Sequence, residues 1–410
     1  MRIAVVCVDD LSVVLFCQGL IKALRSNEDN HTCVISDTHD DDDGDGHYTD
    51  LIKSWGVVHI SVPCYRYVSP LQDLKYTYSL YRIFRRERID VVINVLNKPS
   101  IYGSIAATLA SVNTRVTMLF GLGMVFSEQD DMRSRILRAI VRSLYRLAFR
   151  LSDHVWLTNE SDCEYLRTRC ALQQDKVILT KFWVDTHFYS ATAVAPEALT
   201  RLRTELSLSS EHKVVIMVAR MSWSKGIAEF VDAAKIVGQR LPSVQFILVG
   251  PKDEGSSDSV PDSYFAENET LANFRWLGFR RDVRELYALS HLAVLPSYYH
   301  EGGYPRALTE PMAMGMPIIT TDNVHCRSTV DEGLNGYLIP IRDPVALATA
   351  IERLIVDDER LGQFGEHSRT KAEREFNEEL IVTRTLRAVG LLGQETAEPT
   401  SSRAKNETVR

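Results

Sequence analysis

Two stretches of the chain concentrate residue types suited to an anionic, hydroxyl-rich ligand. The first runs Ser297-Tyr-Tyr-His-Glu-Gly-Gly-Tyr-Pro-Arg-Ala-Leu-Thr-Glu310. An apolar strand ends at Pro296, a loop with Gly302 and Gly303 follows, and a helix begins near Arg306. Backbone N–H groups and the positive end of a helix dipole then converge beyond the strand's C-terminal edge, which suits an anion and above all a diphosphate. Glu301 on the loop and Glu310 in the helix add carboxylates. Such groups accept hydrogen bonds from sugar and ribose hydroxyls well and neighbour phosphate poorly, so each is expected to one side of the diphosphate. The second stretch, Val218-Ala-Arg-Met-Ser-Trp-Ser-Lys-Gly226, also joins a strand to a helix and carries Arg220 and Lys225 past a sheet edge. Two fixed cations there could neutralise a leaving diphosphate. Taken singly, each stretch also reads as a solvated loop; their coincidence favours the chemical reading.

The elements that must position these loops follow from hydrophobic patterning. Short apolar runs alternate with amphipathic helical patterns in the first half: Ile3 to Val8 then Val13 to Leu24, and Val91 to Val95 then Tyr102 to Leu109. Val155 to Thr158 reads as a further strand, with Asn159 to Asp162 as loop and helix cap. The pattern weakens between Thr186 and Ser210, then restarts with Val214 to Val218, Ile227 to Val237, Val244 to Val249, Phe274 to Leu277, Leu292 to Leu295 and Pro317 to Thr320. Alternation of this kind predicts α/β architecture with parallel sheets and crossover helices. The expected division is 1–190, 205–370, a helix over 371–393 crossing back to the first domain, and a disordered tail over 394–410.

A chain of 410 residues exceeds what one hydrophobic core usually serves, in keeping with two domains of roughly 190 residues. Its 45% hydrophobic and 25% charged composition is that of a globular protein, and a net charge of −7 argues against a nucleic-acid partner. Seven scattered cysteines with no C-x-x-C pair predict reduced thiols, neither a disulfide framework nor a zinc site, and a cytoplasmic setting. The apolar N-terminal run is stopped by Asp9 and Asp10, too soon for a signal peptide, and no uninterrupted apolar stretch approaches a membrane span. Absence of G-x-G-x-x-G after the first strand excludes the usual dinucleotide fingerprint.

At this point the residues carry a resemblance. Val-Ala-Arg220 with Lys225-Gly226, Val249-Gly250-Pro251, Leu277-Gly278-Phe279 with Asp282-Val283, Leu295-Pro296-Ser297, the glutamate loop, and Asn335-Gly336-Tyr337-Leu338 resemble, in order and spacing, the family-four glycosyltransferases. In the first half, Gly121-Leu122-Gly123 with Phe126, and Asn159-Glu160-Ser161, are similar to the bacterial subgroup of N-acetylgalactosaminyl- and galactosyltransferases that extend polyprenyl-diphosphate-linked sugars. The resemblance implies a GT-B fold, two Rossmann-like domains with a deep cleft between them. It also implies retaining transfer from a nucleotide sugar used as substrate, UDP-linked, with no bound metal or cofactor.

Carried over position by position, Arg220 and Lys225 hold the donor diphosphate and Glu310 the ribose hydroxyls. Glu301 and the backbone of Gly302, Gly303 and Tyr304 face the donor sugar, Gly278, Phe279 and Arg280 lie near the base, and Pro305 and Arg306 open the donor helix. The acceptor side falls to Asn97, Lys98, Gly121, Gly123, Asn159 and Glu160. Three departures stand out. Eight residues separate the two glutamates where relatives commonly have seven, Asn97 stands where many carry histidine, and the loop from Val8 to Val14 contains no glycine. An amide can hydrogen-bond a sugar hydroxyl but does not titrate near neutral pH.

Two charged runs remain. Asp40 to Asp43 with Gly44, Asp45 and Gly46 imitates a calcium loop, but its twelfth position falls on Ile52 where a bidentate Glu is required. A D-x-D metal motif is equally out of place this near the N-terminus, so the run reads as a solvated loop. Arg135, Arg138, Arg142, Arg146 and Arg150 recur three or four apart beside Ile136, Leu137, Ile140, Val141, Leu144 and Leu147. This is either a packed helix with a solvated arginine face or a stripe that rests on the cytoplasmic face of the inner membrane, near a lipid-linked acceptor. Tyr76, Tyr78, Tyr81, Arg82, Phe84, Arg85 and Arg86 would extend it. Two rivals to the transferase stay open: a sugar-nucleotide epimerase of the same fold, and a non-catalytic sugar-nucleotide-binding partner subunit.

Overall fold

The computed structural model describes residues 1–38, 46–65, 69–122, 126, 132–268, 270–299, 301 and 304–393. The acidic run over 40–45, Gly123, Gly302, Gly303 and the tail over 394–410 lie outside the described residues.

The first sheet contains β1 (Arg2–Asp9), β2 (His31–Asp37), β3 (Val58–Ser61), β4 (Val91–Val95), β5 (Thr114–Leu119), β6 (His154–Leu157) and β7 (Val177–Leu179). The second contains β8 (Lys213–Val218), β9 (Val244–Val249), β10 (Phe274–Trp276), β11 (Leu292–Leu295), β12 (Ile318–Thr321) and β13 (Gly336–Ile339). Strand order is β3-β2-β1-β4-β5-β6-β7 in one and β10-β9-β8-β11-β12-β13 in the other. Every pairing between these strands is parallel. The expected fold class is therefore what forms. Strands such as VVINV in β4 and VQFILV in β9 are buried at every position, because helices cover both faces of a parallel sheet.

Helices of the first lobe are α1 (Asp10–Phe16), α2 (Gln18–Arg25), α3 (His47–Ser54), α4 (Pro70–Arg86), α5 (Ser104–Leu109), α6 (Met132–Leu151) and α7 (Glu160–Cys170). Next come α8 (Pro196–Glu205), α9 (Ile227–Arg240), α10 (Asp262–Asn268), α11 (Val283–Leu289) and α12 (Arg306–Ala313). The last three are α13 (Pro344–Ile355), α14 (Asp358–Glu375) and α15 (Glu378–Ala388). Two details differ from the hydrophobic pattern. The stretch Val13 to Leu24 is not one helix but two, interrupted at Cys17. Within the weakly patterned 186–210, Pro196 starts α8, which buries Leu202 and Leu206 in the second lobe's core.

The chain crosses between the lobes near residues 180–190 and again at 375–378, and the crossings are tied together. Val184 donates its N–H to the Phe376 carbonyl at 2.8 Å and accepts from the Glu378 N–H at 3.0 Å. Lys181 pairs with Glu375 at 2.5 Å. Burial opposes ionisation of Glu375, yet Lys181, Arg374 and Lys371 hold its carboxyl down to about 2. Helix α15 then lays Val382, Leu386 and Val389 into the core of the first lobe. Loops leaving the C-terminal ends of both sheets meet: Arg306 reaches the Leu15 carbonyl, and the Arg281 guanidinium lies 5.9 Å from the Tyr48 ring centroid.

Candidate active site

In each sheet the crossovers reverse direction between the first and fourth strands, and a crevice opens beyond the C-terminal edge at that point. In the second lobe these strands are β8 and β11, so the segments that follow them, residues 219–226 and 296–299, are neighbours. They are joined backbone to backbone. The Ser224 carbonyl accepts from the Tyr298 N–H at 2.9 Å. Gly226, at φ +85°, starts α9 so close to the other loop that a Cβ would stand 2.3 Å from the Pro296 carbonyl oxygen. Only glycine takes this conformation without strain and permits the approach.

The charged groups sit on this frame. The Lys225 ammonium contacts Oε2 of Glu301 at 2.5 Å, with the two side chains 12% and 7% exposed. Ser297 donates to the other oxygen of Glu301 at 2.6 Å, and the ammonium lies 4.5 Å from the Tyr299 ring centroid. Beneath the pair, burial and the charge of Glu301 push the Cys326 thiol up to about 12. Arg220 pairs with Asp253 at 2.7 Å, whose second oxygen accepts from the Ser222 hydroxyl at 2.6 Å. Asp258 accepts from the N–H of Ser224 at 3.1 Å and from its hydroxyl. Neither aspartate carried a signal beyond belonging to a polar loop. Together they set the backbone that presents Arg220 and Lys225.

Helix α12 begins after Pro305 with no side chain capping it, so its opening amides and dipole face the crevice. Glu310 is 6% exposed and accepts from Nε of Arg306 at 2.6 Å. Tyr189 and Tyr287 flank this carboxylate; burial and then the charge of Glu310 raise both phenols above their usual range. Tyr304 packs its ring 5.1 Å from that of Phe376 and 5.6 Å from the Lys181 ammonium. Of the residues expected near the base, Gly278 takes φ +67° and Phe279 stays 53% exposed. Arg280 is engaged by Glu205 at 2.5 Å and Asp282 at 2.6 Å, and holds the Asp282 carboxyl below its usual range.

Comparison with known proteins meets this geometry. The family "Glycosyl transferases group 1" matches residues 200–371, the lobe with the crevice just described. The "Glycosyl transferase 4-like domain" matches residues 13–183. The chain belongs to the family-four glycosyltransferases. It is 24% identical over 389 residues to the N,N'-diacetylbacillosaminyl-diphospho-undecaprenol alpha-1,3-N-acetylgalactosaminyltransferase of Campylobacter jejuni, covering 94% of this chain and 98% of the relative. It is also 24% identical to the UDP-Gal:alpha-D-GlcNAc-diphosphoundecaprenol alpha-1,3-galactosyltransferase of Escherichia coli, over 76% of this chain and 78% of that one. Among solved structures, that of Anabaena HepE in complex with UDP superposes with a TM-score of 0.72 at 20% identity, covering 96% of this chain and 100% of the other. The fold is thus GT-B, and the enzyme is a glycosyltransferase.

The residues expected on the acceptor side of this glycosyltransferase follow three neighbouring strands of the first lobe, Asn97 and Lys98 after β4, Gly121 after β5, and Asn159 and Glu160 after β6. Beyond β4, Lys98 pairs with Asp73 at 2.5 Å, and Tyr102 donates to the other Asp73 oxygen at 2.9 Å. Asp73, from the buried face of α4, was not anticipated; an acid among apolar contact positions is the signal that could have marked it. The Asn97 amide donates weakly to the Leu122 carbonyl at 3.4 Å, beside Gly121. Asn159 caps α7 by accepting from the Asp162 N–H at 2.7 Å, a structural duty that occupies its carbonyl. Glu160 is exposed, and after burial its charge is the chief influence raising the Tyr304 phenol.

The arginine stripe divides in two. Arg142 donates to the Tyr165 hydroxyl at 2.8 Å and Arg146, though exposed, to the Arg169 carbonyl at 2.8 Å, both on α7; Arg135 and Arg150 are exposed as well. The apolar side of α6 is also not all packed: Met132, Ile136, Ile140 and Leu147 are exposed. On α4 the buried Tyr76 and Phe84 cannot extend the stripe, whereas Tyr78, Arg82, Arg85 and Arg86 are exposed, as are the neighbouring Leu71 and Leu74.

Proposed function

We propose that the enzyme moves a hexose or N-acetylhexosamine from a UDP-sugar, with retention, onto a lipid-linked or saccharide acceptor in bacterial polysaccharide or glycan assembly. The observation that carries this reading is the Lys225–Glu301–Ser297 cluster held at the second lobe's switch point beside the open start of α12. Lys225 and Glu301 pair with each other. A donor diphosphate draws Lys225 and Arg220 to itself, and Glu301 is released to accept hydrogen bonds from the donor sugar. Glu310 takes the ribose hydroxyls, exposed Phe279 lies against the base, and the backbone around Tyr304 faces the sugar.

In the transfer, the bond between the anomeric carbon and the β-phosphate oxygen breaks and a new bond to the acceptor oxygen forms on the same face. The acceptor proton passes to the departing diphosphate oxygen. The chain's contribution is fixed positive charge where negative charge develops.

The acceptor assignment draws on the relatives' activities and on the first lobe's surface. Helices α4 and α6 follow β3 and β5 and therefore start at the C-terminal edge of the sheet, the edge that faces the cleft. Exposed Leu71, Leu74, Met132, Ile136 and Ile140 sit near those starts, and α6 carries no acidic residue. No helix among the described residues is long and apolar enough to cross a membrane. A basic, apolar-tipped face fits peripheral contact with the anionic cytoplasmic leaflet of the inner membrane.

Incubating the protein with radiolabelled UDP- and GDP-sugars and polyprenyl-diphosphate-linked saccharides tests the reading. Label entering the lipid fraction from a UDP-sugar, with release of UDP, is the expected result. Epimerised sugar or free UDP formed equally well without acceptor would favour the epimerase. Binding of UDP without turnover on any acceptor would favour the partner subunit.

A further inference from the structure

The interlobe contact beside the donor loops is built on a helix break. A continuous helix through residues 10–25 would turn the Gly19 N–H onto the Leu15 carbonyl. Here α1 stops at Phe16 and α2 starts at Gln18, and both groups are taken by charges: one from the start of α15, which packs on this same lobe, and one from α12 across the cleft. The Gly19 N–H donates to Oε1 of Glu378 at 3.2 Å. The Leu15 carbonyl accepts from Nη1 of Arg306. Glycine at 19 is a condition of the contact, since a Cβ there would stand 2.1 Å from Cδ of Glu378. The break is thus a socket with one donor and one acceptor, filled by one anion and one cation.

Arg306 has a second engagement. Its Nε donates to Oε1 of Glu310 at 2.6 Å, one turn further along α12, between the phenols of Tyr189 and Tyr287. A cation in the first turn of a helix opposes the helix dipole. A largely buried ion pair ordinarily adds little stability over well-packed apolar residues of the same size. Stability alone therefore does not account for an arginine at this position; its place between two functional regions does.

We propose that Arg306 is a positioning residue that couples the donor-side carboxylate of Glu310 to closure of the first lobe. The inference rests on the assignment of Glu310 to the donor ribose made above. With the lobes together, the Leu15 carbonyl fixes one edge of the guanidinium and Glu310 takes another, so the remaining carboxylate oxygen is held in one direction for a hydroxyl. With the lobes apart, the guanidinium loses that anchor and Glu310 loses its aim. Donor binding at Glu310 then favours the closed arrangement. Coupling of this kind is reciprocal, so disturbing the socket in the first lobe weakens the donor in the second.

The test measures UDP affinity of the full chain by calorimetry for wild type, Gly19→Ala, Glu378→Gln, Arg306→Gln, each socket change combined with Arg306→Gln, and Glu310→Ala. Melting temperatures check that each variant folds, and Glu378→Gln, which keeps side-chain size, serves if Gly19→Ala does not. The expected result is at least about fivefold weaker UDP binding in the socket variants, the lower end of ordinary coupling, with no further loss when either is added to Arg306→Gln. Amide exchange over residues 13–21 should slow on adding UDP to wild type and not to Arg306→Gln. Normal UDP affinity in both socket variants, or losses that simply add to that of Arg306→Gln, would overturn the coupling while Glu310→Ala still weakens UDP. Unchanged affinity in Glu310→Ala would instead remove the ribose assignment, and the coupling with it.

Discussion

The two lobes share one strand order, yet their first strand-to-helix junctions are built for opposite electrostatics. In the second lobe β8 leads through Arg220 and Lys225 to Gly226, whose positive φ brings the start of α9 against the neighbouring loop. In the first lobe β1 runs directly into α1, with Asp9 as cap: its carboxylate accepts from the Ser12 N–H at 2.6 Å, and Asp10 follows, buried and hydrogen-bonded by Thr49 at 2.6 Å. One helix start is flanked by cations and reached through glycine. The other is already occupied by the protein's own carboxylates, which repel phosphate. Topology supplies two equivalent crevices, and on the proposed reading the side chains at the junctions suit only one of them to an anion.

The sharpest challenge to this contrast is Lys225→Ala, for which we expect a loss of about a hundredfold or more in kcat, as for removal of an electrostatic donor to a developing oxyanion. A near-normal rate at saturating donor would abolish the distinction between the lobes. Gly226→Ala should destabilise the protein by about 1–3 kcal/mol, since it forces a side chain into left-handed backbone against the Pro296 carbonyl; thermal unfolding reads the loss, and UDP affinity should fall with it. Lys98→Ala refines the comparison from the other side: acceptor KM should rise about tenfold, the worth of one ~1.4 kcal/mol contact, while UDP affinity stays put. A fall in UDP affinity instead would move Lys98 to the donor side. Smallest of all, Asp9→Ala should cost about 1 kcal/mol of stability as a lost helix cap and leave UDP binding untouched, whereas tighter UDP binding would reveal phosphate in the first crevice after all.

Much of this was legible along the chain. Apolar runs such as Val91 to Val95 and Val244 to Val249 encode burial on both faces, and their alternation with helical periods is a local property, so the doubly wound parallel architecture could be read directly. The loops carrying Lys225 and Glu301 could be paired for the same reason: they follow the first and fourth strands of one lobe, which this topology always makes neighbours. The interruption at Cys17 was not legible, because Val13 to Leu24 keeps a helical period; the break belongs to Glu378, some 359 positions away from Gly19 in the chain.

Composition and periodicity by themselves therefore determined the alternation of strands and helices and the edge on which the charged loops gather, but not the break at Cys17 or helix α8. Tertiary structure alone decided the partners: Asp253 for Arg220, Asp73 for Lys98, Glu205 for Arg280, and which arginines of α6 lie on α7. Apolar burial is set residue by residue against water and repeats with the backbone's own period. A hydrogen bond or ion pair requires two particular groups within about 3 Å, a distance that exists only after separate loops have been brought together.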